Sequence, residues 1–149
     1  MKQMGLRSVL KRKFIITTDS NHQFLTAQNT LNRDFSSVKL GEKWVSDITY
    51  IRVYDQWCYL TTIIDLALRK VVGLFLSEDI TTQNTVMKAW IHARKSRNIS
   101  NSLIFHSDRG VQYASNKITN LCNFNLKITQ SMSRKDLRLR IKAQLLMEK

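Results

Sequence analysis

The sequence contains no proline, four glycines and two cysteines among its 149 residues. Because proline is absent, glycine and asparagine are left to mark the turns between regular elements. Cys58 and Cys122 are too few for a disulfide framework, and their spacing fits no metal-binding motif. The pattern is typical of reduced, partly buried thiols, so a small disulfide-rich secreted domain is not predicted.

Long apolar segments are also missing. The longest, residues 60–67, is interrupted by polar residues and is far shorter than the roughly 20 residues that span a bilayer. Residues 1–5 carry a charge but lack the apolar segment of a secretory signal. We therefore predict no membrane contact and a cytoplasmic location. The hydrophobic fraction of 43% suits a globular core.

Acidic residues are scarce. Lysine and arginine total 24 against 11 aspartate and glutamate residues, which gives a net charge of +13. Part of the excess lies at the two ends, within residues 1–14 and 134–149. Such a balance attracts polyanions and releases their counterions on contact, which favours nucleic acid as a partner. The alternative is a basic surface that serves solubility alone.

The apolar pattern divides the chain into a polar N-terminal region and an α/β domain. The first region, 1–43, has no sustained periodicity, although 27–35 could form a brief helix. From residue 44 the predicted order is βββαβαβ, an antiparallel meander followed by alternating helices and strands. The predicted strands are 44–53, 57–64, 70–77, 103–106 and 126–129, with helices beginning near Val86 and after Ser115. We expect a mixed sheet with helices on both faces.

Two aspartates stand out on this plan. Asp47 interrupts an otherwise apolar strand, where an ionised carboxylate is costly unless it is paired or binds a cation. Asp108 follows another short strand, and strand ends are where ligands gather in open sheets. Two carboxylates on neighbouring strands could bind Mg²⁺ or Mn²⁺ together with water and phosphate oxygens. The alternative is that Asp47 pairs with a lysine and Asp108 only begins a turn.

Several blocks of sequence resemble a known family. Residues 44–51 (WVSDITYI) and 106–110 (HSDRG) are similar to the first and second catalytic blocks of bacterial insertion-sequence transposases of the insertion-sequence-three family, which are related to retroviral integrases. Residues 130–135 (QSMSRK) resemble the stretch before the third block. The resemblance implies a ribonuclease-H-like integrase catalytic core. It also implies Mg²⁺-dependent DNA strand cleavage and transfer, with Asp47 and Asp108 as catalytic metal ligands.

The resemblance also suggests a domain division. Residues 1–43 are interpreted as a basic remnant of a DNA-binding region and its linker, and 44–135 as an incomplete catalytic core. Residues 136–149 form a basic tail that does not match the family, for which a shifted reading frame is one explanation. We therefore expect a chain truncated at both ends relative to the family.

The third catalytic acid of the family has no clear counterpart. The positions where its glutamate would fall hold Gln144 and Leu145, and Glu148 lies a few residues too late. The last catalytic helix is therefore expected to be missing or altered, which would leave an apolar patch of the sheet open to solvent. Loss of this carboxylate predicts an inactive or barely active transposase domain.

The sequence leaves three functional hypotheses open. The first is an impaired transposase domain that binds transposon ends and target DNA at the nucleoid. The second is a non-catalytic DNA-binding or interaction fragment that modulates full-length transposase, through contact with it or with a second copy of itself. The third is a pseudogene product without function.

Other polar and aromatic residues give weaker signals. His106 could orient a metal ligand or serve a structural role, and no histidine spacing supports zinc. Asp65 is expected to pair with Arg69 four residues later. The three tryptophans are predicted to lie in the core rather than to stack on bases.

Overall fold

The computed structural model describes residues 23–99, 102–124 and 127–134. It contains β1 (Lys43–Val53), β2 (Gln56–Asp65), β3 (Lys70–Ser77), α1 (Val86–Ser96), β4 (Leu103–Ser107), α2 (Val111–Ala114), α3 (Asn116–Asn123) and β5 (Ile128–Met132). The predicted order is confirmed, with the short α2 as an addition and β5 beginning two residues later than expected. The proposed domain boundaries stay predictions, since residues 1–22 and 135–149, with Gln144, Leu145 and Glu148, lie outside the described residues.

The helix expected over residues 27–35 is wrong. This segment is irregular, because Asn32 and Arg33 adopt positive φ angles of 43° and 66°, outside the right-handed helical region. The side chain of Asn29 accepts a hydrogen bond from the amide of Asn32 at 2.9 Å. Asparagine competes with helix formation in this way, by offering the backbone a local side-chain partner.

The five strands form one mixed sheet in the order β3-β2-β1-β4-β5. The meander β1-β2-β3 is antiparallel, whereas β4 runs parallel to β1 and β5 runs parallel to β4. β1 is thus paired on both sides at Trp44 and Val45 and with β2 alone further along. The arrangement confirms the predicted mixed α/β sheet.

The larger apolar cluster covers one face of the sheet. Trp44, Ile63 and Phe105 from the strands pack there against buried residues of all three helices, among them Trp90 and Tyr113. We call this the helix-covered face. The prediction that helices lie on both faces is wrong for the described residues. A smaller cluster on the opposite face is built from Leu31, Val45 and Leu66.

Close contact between α1 and β3 depends on Gly73. A Cβ atom at this position would lie 2.5 Å from the carbonyl oxygen of Ala89 and 2.9 Å from Cβ of Ala93. Both neighbours belong to α1, and the carbonyl is part of its backbone, so neither contact can be relieved by rotating a side chain. The glycine therefore sets how closely the helix approaches the sheet.

The tryptophans divide between core and surface. Trp44 and Trp90 are buried, and their rings meet edge to face with centroids 5.6 Å apart. Trp57 is 44% exposed near the end of the β1-β2 hairpin, where its ring lies beside Tyr50. The core prediction is confirmed for the first two and wrong for Trp57.

Apolar side chains of the edge strand β3 are open on the opposite face. Val71, Leu74 and Leu76 are 53%, 45% and 55% exposed, and their register against β2 sets them on the side away from α1. The apolar patch expected from a missing last helix stays a prediction, because residues 135–149 lie outside the described residues. None of the described helices has the length and apolar content needed to cross a membrane.

Candidate metal centre

Asp47 lies in the middle of β1, opposite Thr62 of β2. Its strand neighbours Val45 and Ser46 are each 1% exposed, whereas Asp47 itself is half-buried. Alternation along the strand sets Asp47 on the same face as Val45, opposite the helices. The carboxylate is thus held on a strand that pairs with β2 at this position, while the pairing with β4 ends two residues earlier.

Asp108 is the first residue after β4. Its Oδ1 accepts a hydrogen bond from the amide of Gly110 at 2.9 Å, and its carbonyl oxygen accepts one from the hydroxyl of Ser107. Burial raises the pKa of the Asp108 carboxyl, while the Gly110 amide lowers it. A carboxylate disfavoured by burial in this way gains from a nearby cation.

The parallel register of β1 against β4 matches the spacing of the two aspartates. Lys43 pairs with Ile104, Trp44 with Phe105 and Val45 with His106, and the same offset continued for two residues beyond the last pair would place Asp47 level with Asp108. Neighbouring strands lie about 4.8 Å apart, a separation across which two carboxylates can share a divalent ion.

The hydroxyl of Tyr113 lies within electrostatic reach of both carboxylates. Burial raises its pKa well above the usual value, the bond to Ser46 opposes this rise, and the charges of Asp47 and Asp108 add to it. One buried group therefore senses both acids, as expected if they converge. Their role as metal ligands stays a prediction.

A second feature of the site was missed from the sequence. The hydroxyls of Ser46 and Tyr113 lie 2.7 Å apart, and that of Ser46 donates to the carbonyl of Thr62 at 3.0 Å. Ser46 directly precedes Asp47, and Tyr113 follows Asp108 by five residues. Polar residues next to both candidate ligands were the available signal, but only the fold shows that they meet.

His106 has a structural position. It is 3% exposed, its Nδ1 lies 2.9 Å from Oγ of Ser131, and burial lowers its pKa to about 4. Oγ of Ser131 also accepts the amide of Leu31 at 3.1 Å. The pair thus fastens the N-terminal segment to the opposite face, which favours the structural reading of His106.

Asp65 does not pair with Arg69 as predicted. Its carboxylate is fully buried and accepts three hydrogen bonds. The amide of Gly41 and the indole Nε1 of Trp44 donate to Oδ2 at 2.8 and 3.0 Å, and the amide of Ala67 donates to Oδ1 at 3.0 Å. These donors make Asp65 a brace between β1, β2 and the turn before β1, rather than part of the metal centre.

The donor set suits a hard divalent cation. Two carboxylates at adjoining strand positions, with water and phosphate oxygens completing the shell, are typical of Mg²⁺ sites. Among the described residues there is no group of three or more histidine, cysteine, aspartate or glutamate side chains that could hold a metal.

Comparison with known proteins identifies the family. The model of the integrase core domain matches residues 37–136, which include both aspartates. The chain belongs to the integrase core domain family. Among its relatives, a transposase InsF for insertion sequence IS3A from Escherichia coli is 35% identical over 118 residues, covering 77% of this chain and 40% of that protein.

Two further comparisons concern another insertion-element protein and a solved integrase core. An uncharacterized 31 kDa protein of insertion element IS600 from Shigella sonnei is 36% identical over 132 residues, covering 89% of this chain and 45% of that protein. The chain thus spans less than half the length of these curated relatives. The integrase catalytic core of HTLV-2, solved with magnesium, has a TM-score of 0.58 at 16% identity over 66% of this chain and 63% of that one.

A chain of the simian T-cell lymphotropic virus intasome, solved in complex with the PP2A regulatory subunit B56 gamma, also shares the fold. Its TM-score is 0.59 at 17% identity, over 79% of this chain and 39% of that chain. At such low identity the likeness concerns the fold alone. The solved structures confirm the predicted ribonuclease-H-like integrase core. The family match and the InsF relatives confirm the predicted resemblance to insertion-sequence transposases.

Proposed function

We propose that this integrase core domain binds Mg²⁺ or Mn²⁺ through Asp47 and Asp108 and derives from an enzyme for DNA strand cleavage and transfer in transposition. The observation that supports the proposal is the register of β1 against β4, whose offset, continued for two residues, would align Asp47 with Asp108. The desolvated carboxyl of Asp108 supports it, because a bound cation offsets the cost of its charge.

The chain's own residues would bind and orient the reactants. Asp47 presents a carboxylate from a rigid strand, and the Gly110 amide orients the carboxylate of Asp108. A divalent ion held there supplies charge stabilisation to the attacking and leaving oxygens of a phosphodiester. Full activity in such sites uses two ions. Two ions need a larger number of carboxylate ligands than Asp47 and Asp108 provide.

We infer that the activity of this 149-residue chain is impaired. The positions where the family resemblance expects a third acid hold Gln144 and Leu145. Without that carboxylate, binding of the second ion is weakened. That ion would stabilise transition-state charge by several kcal/mol, so its loss lowers the activity. Tight single-ion binding is not required for this proposal, only binding that depends on both aspartates.

DNA, as transposon ends and target, is the proposed partner. The net charge of +13 supports it, and two arginines lie beside the metal centre. The amide of Ser133 donates to the carbonyl of Ser107, which sets the end of β5 next to Asp108. Arg109 donates to the carbonyl of Ser133 at 2.8 Å, and Arg134 follows it on the surface. Positive charge at this edge suits a phosphate backbone.

A metal titration tests the ligand assignment. Binding of Mn²⁺ to the full chain is followed by electron paramagnetic resonance, and Asp47→Asn and Asp108→Asn are each expected to abolish it. Asp55→Asn is the matched control, because Asp55 is fully exposed in the β1-β2 turn. Unchanged Mn²⁺ binding in either site variant would contradict the proposal.

A strand-transfer assay tests the impairment. The purified chain is supplied with Mg²⁺ or Mn²⁺ and duplexes that carry the terminal sequences of its own insertion element. We expect binding of the duplex without transfer, and any residual nicking should disappear in Asp47→Asn. Efficient transfer by the parent chain would show that the third acid is not needed or is replaced.

The second candidate function is a non-catalytic DNA-binding or interaction fragment that modulates full-length transposase. The basic charge favours it, because phosphate binding by lysine and arginine requires no metal ligand. Addition of the chain to an active full-length transposase is expected to lower its transfer rate, by occupying DNA or by mixed assembly. Asp47→Asn should retain this inhibition if binding alone is responsible.

A further inference from the structure

We propose that Ser46 and Tyr113 are positioning residues whose hydroxyl link sets the spacing of Asp47 and Asp108 and thereby the affinity for a divalent cation. The inference rests on the metal site proposed above and concerns how the fold holds that site in shape. It starts from the place where the backbone pairing between β1 and β4 ends.

The pairing of the two strands stops short of both acids. Its last pair is Val45 with His106, so it ends two residues before Asp47 and Asp108. Beyond this level the Ser46–Tyr113 bond joins the segment that carries one acid to the segment that carries the other. Its length of 2.7 Å is that of a well-formed hydrogen bond between hydroxyls.

The directions of the bonds follow from counting protons. A serine hydroxyl has one proton, and that of Ser46 is donated to the carbonyl oxygen of Thr62. The hydroxyl of Tyr113 must therefore be the donor to Oγ of Ser46. Because Thr62 is the register partner of Asp47, this chain of bonds runs from β2 through β1 to α2 at the level of the metal centre.

The turn that carries Asp108 is stiff, so a change at Tyr113 is transmitted to it. The amide of Tyr113 donates to the carbonyl of Gly110 at 2.9 Å, and the Gly110 amide in turn donates to Asp108. The side chain of Gln130 donates to the carbonyl of Tyr113 at 2.8 Å. Asp108, Gly110 and Tyr113 thus form one braced unit, and the Tyr113 hydroxyl connects this unit to β1.

Burial makes the link effective. Ser46 and Tyr113 are each 1% exposed, so water does not replace the lost partner when one hydroxyl is removed. Tyr113→Phe keeps the aromatic ring that packs against Phe105 and removes the hydroxyl alone. The expected result is a Mn²⁺ affinity about three- to tenfold weaker, the size of effect typical of one buried hydrogen bond.

The test is a Mn²⁺ titration of the full chain by electron paramagnetic resonance, with Tyr113→Phe, Ser46→Ala and the double variant. Both single changes break the bond between Ser46 and Tyr113, and Ser46→Ala also removes the bond to Thr62, so Ser46→Ala should weaken binding at least as much as Tyr113→Phe. Ser96→Ala is the matched control: its hydroxyl also fastens a helix to a strand, with 2.6 Å to the carbonyl of Val72, but α1 and β3 carry neither acid.

The outcomes separate the two proposals. Loss of Mn²⁺ affinity in both single variants, no loss in the double variant beyond that of Ser46→Ala, and unchanged affinity in Ser96→Ala would support the positioning role. Parent-like affinity in Ser46→Ala or in folded Tyr113→Phe would overturn it while leaving the metal site intact. Failure of the parent chain to bind Mn²⁺ would overturn the metal site and this inference together.

Discussion

The substitution Asp65→Asn measures how much a buried carboxylate outside the proposed metal centre contributes to the stability of the fold. Asp65 is fully buried and accepts bonds from the amides of Gly41 and Ala67 and from the indole of Trp44. All three partners are donors, so the site requires an acceptor at each carboxylate oxygen. Asparagine keeps the shape of the side chain but provides one acceptor atom and one donor group.

The size of the effect follows from the two orientations of the amide. With its oxygen towards Gly41 and Trp44, asparagine loses the bond to Ala67, and in the reverse orientation it loses two bonds. The first orientation is favoured, because it loses only one charged hydrogen bond, which contributes about 2 kcal/mol net. The bonds from Gly41 and Trp44 remain but weaken by about 0.5–1 kcal/mol each when the charge is removed. The expected loss is about 3–4 kcal/mol, a large part of the ~5–15 kcal/mol typical of a domain.

Equilibrium unfolding in urea, followed by tryptophan fluorescence, measures this loss directly. Asp55→Asn is the control, because the same chemical change at an exposed turn residue is expected to shift stability by less than about 0.5 kcal/mol. A free energy of unfolding for Asp65→Asn within about 1 kcal/mol of the parent value would refute the reasoning, since it would mean that the three donors find other acceptors.

Three further predictions concern the core and the buried titratable groups. Gly73→Ala should lower the free energy of unfolding by about 1–3 kcal/mol in urea, because the added methyl group meets the α1 backbone; Leu74→Ala, at the half-exposed next residue, should cost less. The free energy of unfolding should fall as the pH drops from 6.5 to about 4. In this range His106 binds a proton in the unfolded chain, whereas burial lowers its pKa in the folded protein to about 4. Thermal melts of His106→Gln should show a flatter pH profile. In the native protein a thiol reagent at pH 8 should modify Cys58 and spare Cys122, whose pKa is raised by burial to about 12, whereas both should react in urea.

Strand positions were predictable because their signal is local. The β-formers around Asp47 occupy consecutive positions, and the predicted limits of β3 agree with the structure at both ends. The first and second sequence blocks also pointed to Asp47 and Asp108 before any geometry was known. Local patterns failed at 27–35, where left-handed backbone at Asn32 and Arg33 breaks an otherwise acceptable helical pattern.

Contacts between distant residues were not predictable in the same way. The expected partner of Asp65 was four residues away, but its actual donors include Gly41 and Trp44, which lie more than 20 positions earlier. The exposure of Trp57 likewise depends on where the β1-β2 hairpin ends relative to the core. Such contacts follow from strand order and register. Helical and strand periodicity give no direct information about either.

The sequence by itself determined the order of the elements, the basic charge and the family, and it singled out the two aspartates that are proposed as metal ligands. Tertiary structure alone decided that the described helices share one face, that Gly73 sets the approach of α1, and that Tyr113 reaches Ser46 beside the metal centre. The physical reason is that periodicity and motifs are properties of neighbouring residues. The register of two parallel strands and the buried bond between Ser46 and Tyr113 join residues that are distant along the chain.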